Sequence, residues 1–390
     1  MLTLVLLACK LGSPDDTDGA AEDTDGVPLS DGETVEVPLS FALPVPPSMD
    51  VALVIDTSCA ASDHVRLGFD VSARDAALGI ADAHWGVATF VDYPVAPFGG
   101  AGQDLPFFLK APLADDPGAA DATLKSVPVL GGADAPEAGM EALFQALSGA
   151  GYDLGCDGTY DAIEDVAPFA PSAADPFGGT APAAWPSVTS GALGGLGFRD
   201  GAVHVVLYAT ETHLRDADTD ATPGGCHDAG RSDVLDAAAA LDAWLVGGNT
   251  WEPSTGNDVV DQIEALARDA GSVADLDGDG VDEPLRLDLA DWAASWTVDV
   301  DGALAAIAAR SGADGLHEAL TVEVEDPLGL VTLVDPTGFA DLDARTTPSL
   351  DVRLTLTGIA VDEDARVEIP VRLLEGGTVI GEQRVVVRLR

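Results

Sequence analysis

Asp56, Thr57 and Ser58 follow directly on an apolar run, Asp50-Val-Ala-Leu-Val-Ile-Asp56. An acid placed there is delivered by a buried strand to the edge where open α/β sheets bind ligands. Two further acids are expected at the same edge. Glu211 ends the segment GAVHVVLYATE (201–211), and Glu137 opens the helical segment 136–148, with Pro136 in its first turn. Three carboxylates and the Ser58 hydroxyl make an oxygen-only donor set. Hard cations take such donors, and Mg2+ keeps several waters in its octahedral shell. Without a cation the clustered carboxylates would repel one another. The alternative is that Asp56 caps a following helix and holds no ion.

The elements that must position these groups are legible as an alternation. Segments 50–56, 84–92 and 201–211 read as buried strands, and segments 62–83, 136–148, 231–243, 257–270 and 300–310 read as helices. Alternating strands and helices predict an α/β fold, a doubly wound and mostly parallel sheet. After about residue 318 the helices stop, and ALTVEVE, LGLVTLV, SLDVRLTLTGI, ARVEIPVRLL and EQRVVVRLR predict an all-β sandwich. Residues 34–42 alternate like one more strand, and Pro44, Pro46 and Pro47 follow it. The expected organisation is a signal at 1–9, an acidic linker at 10–26, first sandwich strands at 27–48, the α/β domain at 49–317 and the rest of the sandwich at 318–390. The Ala/Gly/Pro stretch at 165–199 reads as loop.

The 390 residues hold 18 Lys+Arg against 67 Asp+Glu, a formal net charge of −49. Such a surface repels phosphate backbones and anionic lipids, which excludes nucleic-acid binding and direct adsorption to a membrane. It suits divalent cations and basic partners. No apolar run is long enough to span a membrane. The opening MLTLVLLAC ends Leu6-Leu7-Ala8-Cys9 and resembles a bacterial lipoprotein lipobox, which implies lipidation at Cys9, export, and attachment to an outer membrane or cell surface. The tract KLGSPDDTDGAAEDTDG has the composition of a disordered tether. Cys156 and Cys226 sit in Gly/Asp-rich loops and are the expected disulfide; Cys59 follows a strand and is expected in the core.

The segment DVALVIDTSCAAS resembles the first strand and metal-ion-dependent adhesion site of von Willebrand factor A domains, and more narrowly the A-type domain of integrin β subunits. GVATFVDYPVAP (86–97), ADAPEAGMEA (133–142) and VVLYATETH (205–213) resemble further segments of that domain, and the flanking β segments look like the hybrid domain into which it is inserted. The resemblance implies a central Mg2+ site at Asp56, Ser58, Glu137 and Glu211, with Ala60 standing where the family has a second Ser. It implies an adjacent Ca2+ site from Asp92, Asp134, the Pro136 carbonyl and Glu137, with Gly132 where an Asn is expected. A third position would use Asp63, beside His64 where the family has an acid. It also implies a relay through the last helix. Separately, ADLDGDGVDE (274–283) places Asp275, Asp277, Asp279 and Glu283 around Gly278 and Gly280 and resembles the DxDGDGxxD calcium loop, with Arg286 at the twelfth position.

These residues predict a surface protein, not an enzyme, that binds a carboxylate-bearing partner through a divalent cation. Two alternatives stand beside it. One is a structural surface protein with a degenerate adhesion site and calcium used for rigidity. The other is a metal-dependent hydrolase using His213 beside Glu211, for which the sequence supplies no positioned general base.

Overall fold

The computed structural model describes residues 26–58, 68–80, 82–131, 133–185, 190–250, 258–288 and 295–390. Cys9, Cys59, Ala60, Asp63, His64 and Gly132, with the expected signal and nearly all of the tether, lie outside the described residues. In chain order the elements are β1 (Val27–Leu29), β2 (Thr34–Ala42), β3 (Met49–Asp56), α1 (Val71–Leu78), β4 (Ala83–Phe90), β5 (Phe108–Ala114), α2 (Pro117–Ser126) and α3 (Gly139–Ser148). Then come β6 (Val203–Thr210), α4 (Arg231–Leu241), β7 (Ala243–Asn249), α5 (Asp258–Asp269), β8 (Val273–Ala274), β9 (Glu283–Pro284), β10 (Arg286–Asp288) and α6 (Ser295–Ser311). The chain finishes with β11 (Leu316–Val324), β12 (Val331–Asp335), β13 (Gly338–Asp343), β14 (Ser349–Thr357), β15 (Ala365–Glu375) and β16 (Thr378–Leu389). Two compact units result: one runs from Pro47 to Asp314, and the other joins the chain up to Pro46 with Gly315–Arg390.

The larger unit is mixed α/β around a six-stranded sheet of order β10-β7-β6-β3-β4-β5. All pairings are parallel except that of β5 with β4. β3 is buried along its whole length, as a continuous apolar run requires. Its alternate side chains enter two different cores, because successive residues of a strand point to opposite faces. Val51, Leu53 and Ile55 pack with Phe69, Val71 and Leu124, and with Leu304 and Ile307 of α6. Ala52 and Val54 pack with Met140, Leu143 and Leu147 of α3, and with Val234 and Ile263 of α4 and α5. The chain leaves β3 toward β4 on one side and continues from β6 to β7 on the other. The C-terminal ends of β3 and β6 therefore flank the point where strand order reverses, the place at which open α/β sheets leave a crevice.

At the opposite edge, Asp50 is buried and accepts hydrogen bonds from the Arg199 backbone N–H at 2.7 Å and from its Nε at 2.8 Å, while Arg199 Nη1 reaches Asp82 at 2.7 Å. A disulfide joins Cys156 to Cys226 across 70 residues of sequence. Strands β5 and β7 and helix α2 were not expected from the sequence.

The smaller unit is β-rich, with sheets of order β1-β16-β15-β11-β13 and β12-β14-β2. Val37 and Phe41 of β2 and Leu350 to Leu356 of β14 share one core with Leu320, Ile369, Val371, Val385 and Val387 of the other sheet, which makes a sandwich. β15 and β16 are joined by Gly376-Gly377, both at positive φ, as a tight two-residue hairpin needs. No helix among the described residues is long and apolar enough to cross a membrane.

Candidate functional site

Asp56 ends β3 and is buried. Its Oδ1 accepts the Ser58 N–H at 2.9 Å and its Oδ2 accepts the Thr210 hydroxyl at 3.0 Å. Thr210 is the last residue of β6, so this bond crosses the switch point between β3 and β6. Thr57 is fixed beside it, its N–H and hydroxyl both bonded to the Phe90 carbonyl of β4. Burial pushes the Asp56 carboxyl up; the Ser58 and Thr210 donors and the Glu211 N–H oppose that.

Glu137 reaches the same rim from the loop before α3. The loop is tied down by three backbone bonds: Ala138 N–H to the Val91 carbonyl (3.1 Å), Leu130 N–H to the Thr57 carbonyl (2.8 Å) and Arg215 N–H to the Glu137 carbonyl (2.6 Å). Gly139 lets the segment at Leu214 approach, since a Cβ there would lie 2.1 Å from Leu214 Cδ2. The Glu137 carboxyl is pushed up to about 9, first by burial, then by the charges of Asp56 and Asp92. The Ser58 hydroxyl lies near enough to favour both the Asp56 and Glu137 carboxylates. Yet neither Ser58 Oγ nor Glu137 Oε2, both buried, completes a hydrogen bond of normal geometry. Asp56, Ser58 and Glu137 are thus brought together with donor atoms to spare, and this set fits a bound cation.

Two expectations need correcting. The carboxylates of Asp56, Glu137 and Glu211 do not meet closely: the one group of three acids among the described residues whose oxygens all lie within 4.8 Å of one another is Asp275, Asp277 and Glu283. Glu211 follows β6 and meets Asp56 through its backbone N–H. The adjacent set, expected to hold Ca2+, instead surrounds a side chain. Arg215 Nη2 donates to Asp92 Oδ2 at 3.1 Å, to Asp134 Oδ1 at 3.1 Å and to the Pro136 carbonyl at 2.5 Å. Those are three of the four expected calcium ligands, so the donor set does not fit a metal while the guanidinium is there. Burial pushes the Asp92 carboxyl up to about 7, with the Tyr93 N–H and Arg215 pulling the other way.

Sequence reading missed Thr210 and Arg215. Each was adjacent to a residue it did single out, Glu211 in one case and the His213 segment in the other; the signal for Arg215 was a basic residue in a chain that has few. His213 is engaged, its Nε2 accepting from Gln262 Nε2 at 3.0 Å, while the same amide brackets the Leu214 backbone.

The 274–283 loop is exposed apart from its ends. Both carboxylate oxygens of Asp275 accept backbone N–H groups, from Gly278 (2.7 Å), Asp279 (3.1 Å) and Gly280 (2.8 Å), with both glycines at positive φ. Asp279 does not join the three converging acids, and its Oδ1 accepts the Val281 N–H at 2.9 Å. Arg286, at the twelfth position, pairs with Glu264 at 3.1 Å.

No protein-family model matches this chain, and no curated protein does. Among solved structures it is similar to the pilus adhesin SpaC from Lactobacillus rhamnosus GG in its open conformation, at 11% identity and a TM-score of 0.35, over 92% of this chain and 46% of the adhesin. A second form of the same adhesin gives 11% identity and a TM-score of 0.35 over 94% of this chain and 47% of that one. The chain spans about half the length of these structures.

Proposed function

We propose that this chain is a cell-surface adhesion or ligand-binding protein, in which a divalent cation held at the Asp56–Ser58–Glu137 rim receives an acidic group of a partner. In this reading the larger unit is a doubly wound A-type domain, exported and lipid-anchored through Cys9. The observation that carries it is the buried pair Ser58 Oγ and Glu137 Oε2, left without hydrogen bonds beside Asp56 at the reversal of strand order. Buried polar atoms are rarely left so, and buried acids that repel one another are natural cation ligands. Mg2+ bound there supplies positive charge and an open coordination position for a carboxylate.

The chain's own residues do the rest. The Ser58 N–H and the Thr210 hydroxyl fix the Asp56 carboxylate, so that no rotamer search is needed when a cation arrives. The bonded loop holds Glu137 in place, and the Glu211 backbone N–H adds a third donor to Asp56. Calorimetric titration of Mg2+ into the chain and into Asp56→Ala tests the reading. The variant should lose one binding event and, with it, retention of acidic peptides; identical isotherms would refute it.

A second reading is favoured by the convergence of Asp275, Asp277 and Glu283. There the protein is a structural surface component, and Ca2+ at that loop serves rigidity. It predicts that Asp275→Ala loses a Ca2+ event while Asp56→Ala changes nothing.

A further inference from the structure

We propose that Arg215 is a resident cation, whose guanidinium takes the place of a second metal ion and holds the Glu137 loop with the protein's own charge. The acceptors are three of the four groups expected to hold the adjacent Ca2+. Nη2 is within hydrogen-bond distance of Asp92, Asp134 and the Pro136 carbonyl, and Nη1 donates to the Ala221 carbonyl at 3.2 Å. The group is built in: the Arg215 side chain is 4% exposed, Asp92 is 0% exposed, and Asp134 at 37% reaches solvent. The Phe98 ring covers the guanidinium, with its carbon 4.5 Å from the ring centroid.

Calcium needs six to eight oxygens at about 2.3–2.6 Å. A nitrogen already about 3 Å from three of those oxygens fills the space in which the ion would sit. The guanidinium is part of the chain, so this cation cannot be chelated away. The same residue grips the loop twice, since its backbone N–H binds the Glu137 carbonyl while its side chain binds Pro136 and Asp134. The placement of Glu137 is therefore independent of calcium. This assignment stands whether or not the central rim takes Mg2+.

Calcium binding and thermal unfolding of the full chain test it, with Asp275→Ala as the background so that the 274–283 loop does not contribute. Adding Arg215→Ala should create a calcium site. One additional binding event should appear, and at a hundredfold excess over its dissociation constant calcium should raise the unfolding midpoint by about 5–10 °C beyond the background response. Adding Asp92→Asn should abolish the gain. An arginine that merely fills space would lower the midpoint without making it calcium-dependent, and that result overturns the proposal. A variant that folds only in calcium supports it. Asp134→Asn with Arg215 intact gives an independent reading: the calcium isotherm should not change, and a lost event would show an ion bound beside the arginine and refute the assignment. Loss of the Mg2+ event in Asp56→Ala is scored separately and does not bear on either outcome.

Discussion

Replacing Glu137 by Gln should stabilise the cation-free protein, which is the reverse of what most substitutions at buried positions do. Gln keeps the shape and has no proton to take up on folding. In the structure Glu137 Oε2 is buried without a hydrogen bond, and the nearby charges of Asp56 and Asp92 oppose its ionisation. A carboxyl whose ordinary value is 4.5 and whose folded value is about 9 must take up a proton on folding at pH 7, which costs about 3 kcal/mol, and because Gln does not bear that cost this is the size of the gain expected in chelator. For a unit of this length each kcal/mol moves the midpoint by about 2–4 °C, so the shift is readable by calorimetry. Magnesium should invert the ranking. At a hundredfold excess over its dissociation constant it adds about 2.7 kcal/mol to the wild type, and little to Glu137→Gln, which has lost a charged ligand. A variant that loses stability in chelator would refute the reasoning, because the carboxylate would then be making a structural contact.

Glu141, fully buried, has its carboxyl pushed up to about 7 from an ordinary 4.5 by burial, with Asp228 and Asp233 adding and the Gln145 and Ala229 donors opposing. A raised folded value means that the folded chain binds the proton more tightly. The contribution is thus full below pH 4.5 and is lost as the pH rises toward 7, a swing of about 3 kcal/mol that urea unfolding should show in the wild type and not in Glu141→Gln. Arg199→Met strands the buried Asp50 carboxylate and should lower stability by about 3–5 kcal/mol, measured by denaturant unfolding. Replacing Cys156 and Cys226 together by Ser opens a 70-residue loop and should cost about 4 kcal/mol on the chain-entropy model, with wild type in reductant giving the same midpoint.

The buried strands were legible because they are continuous apolar runs. Residues 50–56 and 201–211 fall on Met49–Asp56 and Val203–Thr210, and the acids placed at their ends do sit at one sheet edge. The terminal strands were legible by alternation; Ser349–Thr357, for example, is buried at every second residue from Leu350 to Leu356. β7 was missed since AWLVGGN carries two glycines and follows a helix with no turn signal; its tight packing explains them, as a Cβ at Gly247 would lie 2.5 Å from Ile263 and from Tyr208. β5 was missed because FLKAPLA has a lysine and a proline, which an antiparallel edge strand tolerates. The contacts of Arg215 were not legible at all. Asp92, Asp134 and Arg215 lie 42 and 81 residues apart in sequence, and nothing local marks a basic residue as the partner of acids that far away.

The buried acids of the larger unit are satisfied in different ways, and the contrast bears on function. Asp50 has Arg199, Asp92 has Arg215, and Glu141 has two neutral donors. With 18 basic residues against 67 acids, arginine partners are scarce in this chain, yet two of them are committed to buried carboxylates at opposite edges of one sheet. Glu137, whose carbonyl accepts the Arg215 N–H, lies close enough to feel the same acids, and its Oε2 completes no hydrogen bond of normal geometry. A sequence that can place a guanidinium 3.1 Å from Asp92 could have placed one against Glu137. Leaving that oxygen bare at the crevice is what a site for an exchangeable cation requires, whereas a fixed internal charge there would close the position to any incoming carboxylate.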